Sequence, residues 1–254
     1  MITKVKVGTE ELSAPPFFFG IGSCFVGNLN SYLNKWGYEY QFNPLGTSFN
    51  PVSIAKQLRW IFCNENLSPF YKHQGIFHQL DAGNAWQDES DTVLQESIIS
   101  AKNEVLQYLN QPSKQLVLVI SLGTAHAWFK GNQLVNNCHK LPGQLFQRRL
   151  LTKEEIVAEW EHTLSLLPKH VKIIVTVSPV RYTRIGLQEN FLGKSILRTA
   201  IEELLISPKV VYFPSFEIIN DELRDYCFFE SNGTHPNLKA IEVVMKRFKT
   251  FLHL

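Results

Sequence analysis

The sequence predicts an α/β protein: a mostly parallel sheet covered by helices on both faces, in a three-layer α/β/α sandwich. Short apolar runs alternate along the chain with longer stretches of helical spacing. Connections long enough to hold a helix imply parallel pairing, with the helices shielding both faces of the sheet. With 44% hydrophobic residues among 254, the chain can bury a large core. Neither an internal repeat nor a linker rich in Pro, Gly or Ser divides it, so one domain over 1–254 is expected.

The first apolar run, residues 16–21, ends at Gly22. Phe25, Leu29, Leu33 and Trp36 follow at intervals that place them on one helical face, giving strand, tight turn, helix. Runs at 38–42, 116–122, 173–177 and 210–213 are too short to be independent helices and read as buried strands. Helical spacing covers 52–63, 92–109, 153–167 and a stretch near 195–205. The third of these has the sharpest boundaries, with Thr152 and Glu155 at capping-box spacing and Pro168 stopping it. A last helix follows Pro236, with Ile241, Val244, Met245, Phe248 and Leu252 on one face. Residues 68–86 and 125–149 show no sustained period and are expected to be long loops or a small subdomain over the cleft.

The 25 basic and 23 acidic residues, net +2, are scattered, so no dense basic face points to nucleic acid or anionic lipid. The N-terminal segment lacks the apolar core and cleavage site of a secretory signal, and no run approaches the roughly 20 apolar residues of a membrane span. Cys24, Cys63, Cys138 and Cys227 form no close pair and read as free thiols, which suits the cytoplasm.

Two ends of the chain carry chemistry. Gly22-Ser23-Cys24-Phe25 falls where the first strand meets the first helix, at the carboxyl edge of the expected sheet. Unpaired N–H groups and the helix dipole there are expected to lower a thiol pKa and to hold an oxyanion. Alternatively, Ser23 is an N-cap and Cys24 a small buried residue. Near the other end, Asn232-Gly233-Thr234-His235-Pro236 precedes the last helix, where His235 is placed to act as a general base or to make a structural hydrogen bond.

Residues 18–26 resemble the name-giving motif of the GSCFA family, with Val26 where Ala is usual. The resemblance continues through Asn43-Pro44-Leu45-Gly46, Phe49-Asn50-Pro51, Ser121-Leu122-Gly123-Thr124, Asn137-Cys138-His139-Lys140, Ser178-Pro179-Val180, Tyr212-Phe213-Pro214-Ser215-Phe216-Glu217 and Arg224-Asp225-Tyr226. The family looks like a relative of the SGNH or GDSL hydrolases. The resemblance therefore implies a flavodoxin-like sheet and ester hydrolysis or acyl transfer by a nucleophile after the first strand, with Asp and His in Asp-x-x-His before the last helix.

Three departures from that pattern matter. In register with Gly-Asp-Ser-Leu, Cys24 takes the nucleophile position, which favours Cys24 over Ser23. Asn232 stands where Asp-x-x-His has a carboxylate; in a serine triad that change costs about 10⁴ in rate, whereas Cys-His-Asn sets work. Gly123-Thr124-Ala125-His126 supplies no Asn to an oxyanion, leaving Gly46, Thr124, His126 and Asn43 as candidates for oxyanion or substrate binding.

Cys138 and His139 lack zinc-ligand spacing, so no metal is expected, and no cofactor motif is present. Lys140, Arg148, Arg149, Arg181 and Arg184 read as solvated surface. Trp86, Trp128 and Tyr182 could stack on a sugar. The expectation is an esterase or acyltransferase acting on an acyl ester, including an acylated carbohydrate. The alternative is an inactive ligand-binding protein marked by Asn232.

Overall fold

Every residue of β1 (Pro16–Gly22) is buried, and its alternation sets the layering in the computed structural model, which describes residues 3–109 and 113–254. Met1 and Ile2, part of the segment read for a secretory signal, lie outside the described residues, as do residues 110–112. Phe17, Phe19 and Ile21 enter one hydrophobic core and Phe18 the other, as the two-residue period of a strand requires.

The chain continues through α1 (Cys24–Trp36), β2 (Glu39–Phe42), α2 (Pro51–Cys63), β3 (Tyr71–His73), β4 (Ile76–His78), β5 (Gln87–Asp88) and α3 (Asp91–Leu109). It then forms β6 (Gln115–Leu122), β7 (His126–Lys130), β8 (Gln133–Val135), β9 (Gln147–Leu150), α4 (Lys153–Leu166) and β10 (Lys172–Val177). α5 (Leu187–Leu204), β11 (Val210–Tyr212), the short α6 (Ser215–Glu217) and α7 (Leu238–Phe251) complete it.

Five strands form the central sheet in the order β11-β10-β6-β1-β2, every neighbouring pair parallel. The first core takes side chains from α2, α3, α4 and α5, among them Leu58, Ile98, Trp160 and Ile201. The second takes Phe25, Val26, Leu29 and Leu33 from α1 and Val244, Met245, Phe248 and Phe251 from α7. Phe213, leaving β11, anchors this side, with its ring 5.0 Å from Phe248 and 5.9 Å from Phe25.

Local chemistry explains the boundaries. Asn50 accepts from the N–H of Ser53 and Pro51 opens α2. The capping box of Thr152 and Glu155 is formed at the start of α4. The helix expected near 195–205 starts earlier, at Leu187, because Gly186, at φ 89°, turns the chain into it.

Residues 68–86 and 125–149 are not loops throughout. β3-β4-β5 and β8-β7-β9 are small antiparallel sheets whose strands are two to five residues long, too short to print a period on the sequence. Gln74 and Gly75, at φ 47° and 86°, make the tight turn between β3 and β4. Among the described residues no helix is long and apolar enough to cross a membrane.

The seam between β1 and β6 is tight at Gly22. Gly22 adopts φ 147°, and a Cβ there would lie 2.3 Å from the carbonyl oxygen of Ser121. Gly22→Ala is therefore expected to lower the unfolding free energy in urea by about 3 kcal/mol or more. Gly27→Ala, on an open face of α1 with nothing within 4 Å of the added carbon, should raise it by up to about 1 kcal/mol.

Candidate functional site

The order of the central strands reverses at β1: β2 lies on one side of it, and β6, β10 and β11 follow on the other. In open α/β sheets ligands bind outside the carboxyl ends of the strands at such a point. Here that edge carries Gly22-Ser23-Cys24 after β1, Gly123-Thr124 after β6 and Ser178-Pro179-Val180 after β10.

The two candidate nucleophiles have different surroundings. Ser23 is only 2% exposed. Its N–H donates to the carbonyl of Ser121 at 3.0 Å and its hydroxyl shares a 2.8 Å hydrogen bond with that of Ser121. It occupies the N-cap position of α1, yet its side chain caps no N–H. Cys24, the first residue of α1, is half-buried and lines a cavity of about 30 Å³ with Asn28, Val180, Ile219, Pro236 and Met245. The N–H groups of Cys24 and Phe25 have no oxygen partner among the described residues, as expected in a first helical turn.

Burial pushes the Cys24 thiol above its ordinary value, and neither its own N–H nor the ammonium of Lys194 reverses this. The lowering expected from the helix start is thus corrected. Desolvation of the thiolate by burial is the largest cause.

The loop before α7 brings its residues to the same edge. The N–H of Arg181 donates to Thr234 at 3.0 Å, and the Arg181 guanidinium lies 3.8 Å from the centre of the Phe229 ring. Pro236, the residue after His235, lines the Cys24 cavity. The His235 side chain is 42% exposed, with Nδ1 4.0 Å from a carboxylate oxygen of Glu230. The side-chain oxygen of Asn232 accepts from the N–H of Thr234 at 2.8 Å, forming a turn within the loop.

The oxyanion candidates are differently engaged. Asn43, at φ 48°, accepts the N–H of Gly22 at 2.8 Å and so fastens the turn after β1. The N–H of Gly46 donates to the carbonyl of Asn43, so it is not the free donor expected. Its missing Cβ instead admits Gly83, whose Cα would lie 3.2 Å from the added carbon. The N–H groups of Gly123 and Thr124 both donate to the carbonyl of Phe49. The hydroxyl of Thr124 accepts from the N–H of His126, whose Nε2 lies 3.8 Å from Glu189. Burial lowers the pKa of His126.

Other sequence features are likewise committed. Arg148 sits over the rings of Trp128 and Tyr182, and Trp86 packs against the larger core. Lys140 and His78 border a separate cavity of about 440 Å³ near the β3–β4 turn. No group of three metal-binding side chains occurs among the described residues. Burial holds the Cys138 thiol up at about 11 and His139 down at about 4, with the His78 ring 5.4 Å away from that of His139.

The GSCFA family's sequence pattern matches residues 17–248. The chain belongs to the GSCFA family. A search of curated proteins finds no match. Both Cys24 in the GSCFA motif and His235 lie inside the matched span.

Lys194, on α5, was missed by sequence reasoning. It is 3% exposed, and its ammonium donates to the carbonyls of Gly123 at 2.5 Å and Ser178 at 2.7 Å. Burial lowers its pKa to about 7, and Cys24 is the charge that raises it back. Its signal was position: 194, 197, 201 and 204 share one helical face, so a lysine stands in the apolar stripe of Leu197, Ile201 and Leu204. Starting the helix near 195 hid it.

The depressed pKa of His139 makes stability depend on pH. Its folded value, about 4, lies below the ordinary 6.5, so the unfolded chain binds the proton first as pH falls. The contribution is full above about 6.5 and is lost towards 4. Between pH 7.5 and 5.5 the wild type should lose about 1 kcal/mol from this group in urea titrations. His139→Asn, which tolerates the positive φ, should flatten that slope.

Proposed function

We propose that this GSCFA protein is an acyl hydrolase or acyltransferase of SGNH-like architecture, acting on an acyl ester through Cys24 with His235 as base. The observation that carries the reading is the placement of Cys24. It opens α1 at the strand-order reversal, on a cavity whose wall includes the residue after His235. Helices from both cores about a parallel sheet support the three-layer sandwich. The central strands, counted in chain order, run 2-1-3-4-5, the flavodoxin-like order.

In the proposed reaction, His235 takes the proton from Cys24 as the sulfur adds to the acyl carbon. The N–H groups of Cys24 and Phe25 receive the oxyanion. Collapse expels the alkoxide, which takes the proton from His235 and leaves a thioester on Cys24. Water or an acceptor hydroxyl, deprotonated by His235, then displaces the thiol. Glu230, rather than Asn232, supplies the carboxylate nearest the ring.

A cavity of about 30 Å³ with apolar walls has room for about two water-sized groups, which selects short acyl chains such as acetyl. An acylated carbohydrate fits the ester class. Unpaired thiols suit the cytoplasm.

One observation favours a second reading, in which the cleft binds a small ligand without turnover. The Asn232 amide oxygen is engaged within its own loop, and among the described residues no carboxylate is in hydrogen-bond contact with His235.

Turnover of nitrophenyl esters of two to eight carbons, read with wild type and variants, separates the two. Hydrolysis should be fastest for the acetyl ester, fall to background in Cys24→Ala, fall about 10² to 10⁴ in His235→Ala, and persist in Ser23→Ala. Absence of turnover by the wild type across the panel would favour the binding reading.

A further inference from the structure

The loop after β8 places two basic side chains against backbone preference. The N–H of Leu141 donates to the carbonyl of Cys138 at 2.9 Å, closing a turn whose central residues are His139 and Lys140, at φ 49° and 57°. Glycine and asparagine are the residues that favour two such positions in succession. Gln74, in the turn between β3 and β4, also has a positive φ, 47°. Residues held in this way persist where the surrounding structure over-determines them, and they cluster at ligand clamps.

Both turns border the cavity of about 440 Å³, a volume within the range of small-molecule sites. Its lining shares no residue with that of the Cys24 cavity. In the register of β3 and β4, Tyr71 faces His78 and His73 faces Ile76, so these four side chains stand on one face of the hairpin. His73, His78 and Lys140 line the cavity, and among the described residues no carboxylate does. The ion pairs that histidine and lysine make among the described residues all lie elsewhere. His78 is 5% exposed, its Nδ1 is buried without a hydrogen-bond partner among the described residues, and the ring of His139 packs edge-on against it. A buried nitrogen left open in a native fold calls for an explanation. Ile76, Leu141 and Pro142 give the rest of the wall an apolar surface.

We infer that this cavity binds a small organic phosphate, with the phosphate held by His73, His78 and Lys140 and the carbon body against Ile76, Leu141 and Pro142. Basic side chains from two separate segments supply donors and positive charge, and no acidic side chain in the lining opposes a dianion. The two left-handed residues of the 138–141 turn are explained by the same requirement, since glycine or asparagine there would give the easier turn and no cation. This site stands independently of the acyl-transfer reading and of Cys24.

The test is a titration of the 15N-labelled full chain with phenyl phosphate at pH 7.5, where the ester is mostly a dianion, in low salt, followed in the backbone amide spectrum. The amides of 73–78 and 138–142 should shift together and saturate. Phenol, which lacks the charge, should give no saturable shift there, and inorganic phosphate, which lacks the carbon body, should bind about tenfold more weakly. Lys140→Asn removes the charge and suits the positive φ. It should weaken phenyl phosphate about three- to fivefold while leaving the urea midpoint unchanged or higher, so lost binding cannot be put down to lost folding. His73→Gln should weaken binding by a similar factor. No saturable shift at these amides, phenol or inorganic phosphate binding as tightly as the ester, or wild-type affinity in both variants overturns the inference.

Discussion

The carboxyl ends of β1 and β6 are fastened so closely that Gly22 has no room for a side chain, and the candidate site depends on that contact. Ser121 of β6 accepts the N–H of Ser23 and shares a hydrogen bond with its hydroxyl. Asn43 holds the N–H of Gly22 from the other side. With three groups fixing two residues, the chain has one way to enter α1, and Cys24 is the first side chain free to face the cleft. The serine of the motif is part of the fastening and the cysteine is what it presents.

The cleft combines features that oppose one another. An apolar wall of Ile219, Val180 and Met245 raises the thiol, while the N–H groups of Cys24 and Phe25, without an oxygen partner among the described residues, favour a negative charge beside it.

Much of the scaffold was legible because its signals are local. The alternation of Phe17, Phe18 and Phe19 about the sheet, the capping box at Thr152 and the apolar face of α7 each follow from spacing alone. The small sheets over 71–88 and 126–150 were not legible, since strands as short as β5 leave no period to detect. In the site, Cys24 and the loop of His235 stood out through residue type and position. Lys194 did not, because its meaning lies in two carbonyls that come from distant loops. Gly46 drew attention for a sound reason, the close backbone approach a glycine allows, and the approach it makes is to Gly83; Asn43 holds the N–H of Gly22 with its side-chain oxygen.

The measurement that tests the central claim most directly is the mass of the protein after brief exposure to nitrophenyl acetate at low temperature, with the modified peptide mapped. An acetyl group on Cys24, lost when His235 is replaced, is the predicted result. Acetylation of Ser23, or no covalent adduct while the ester is still turned over, would contradict the assignment of Cys24 as the nucleophile.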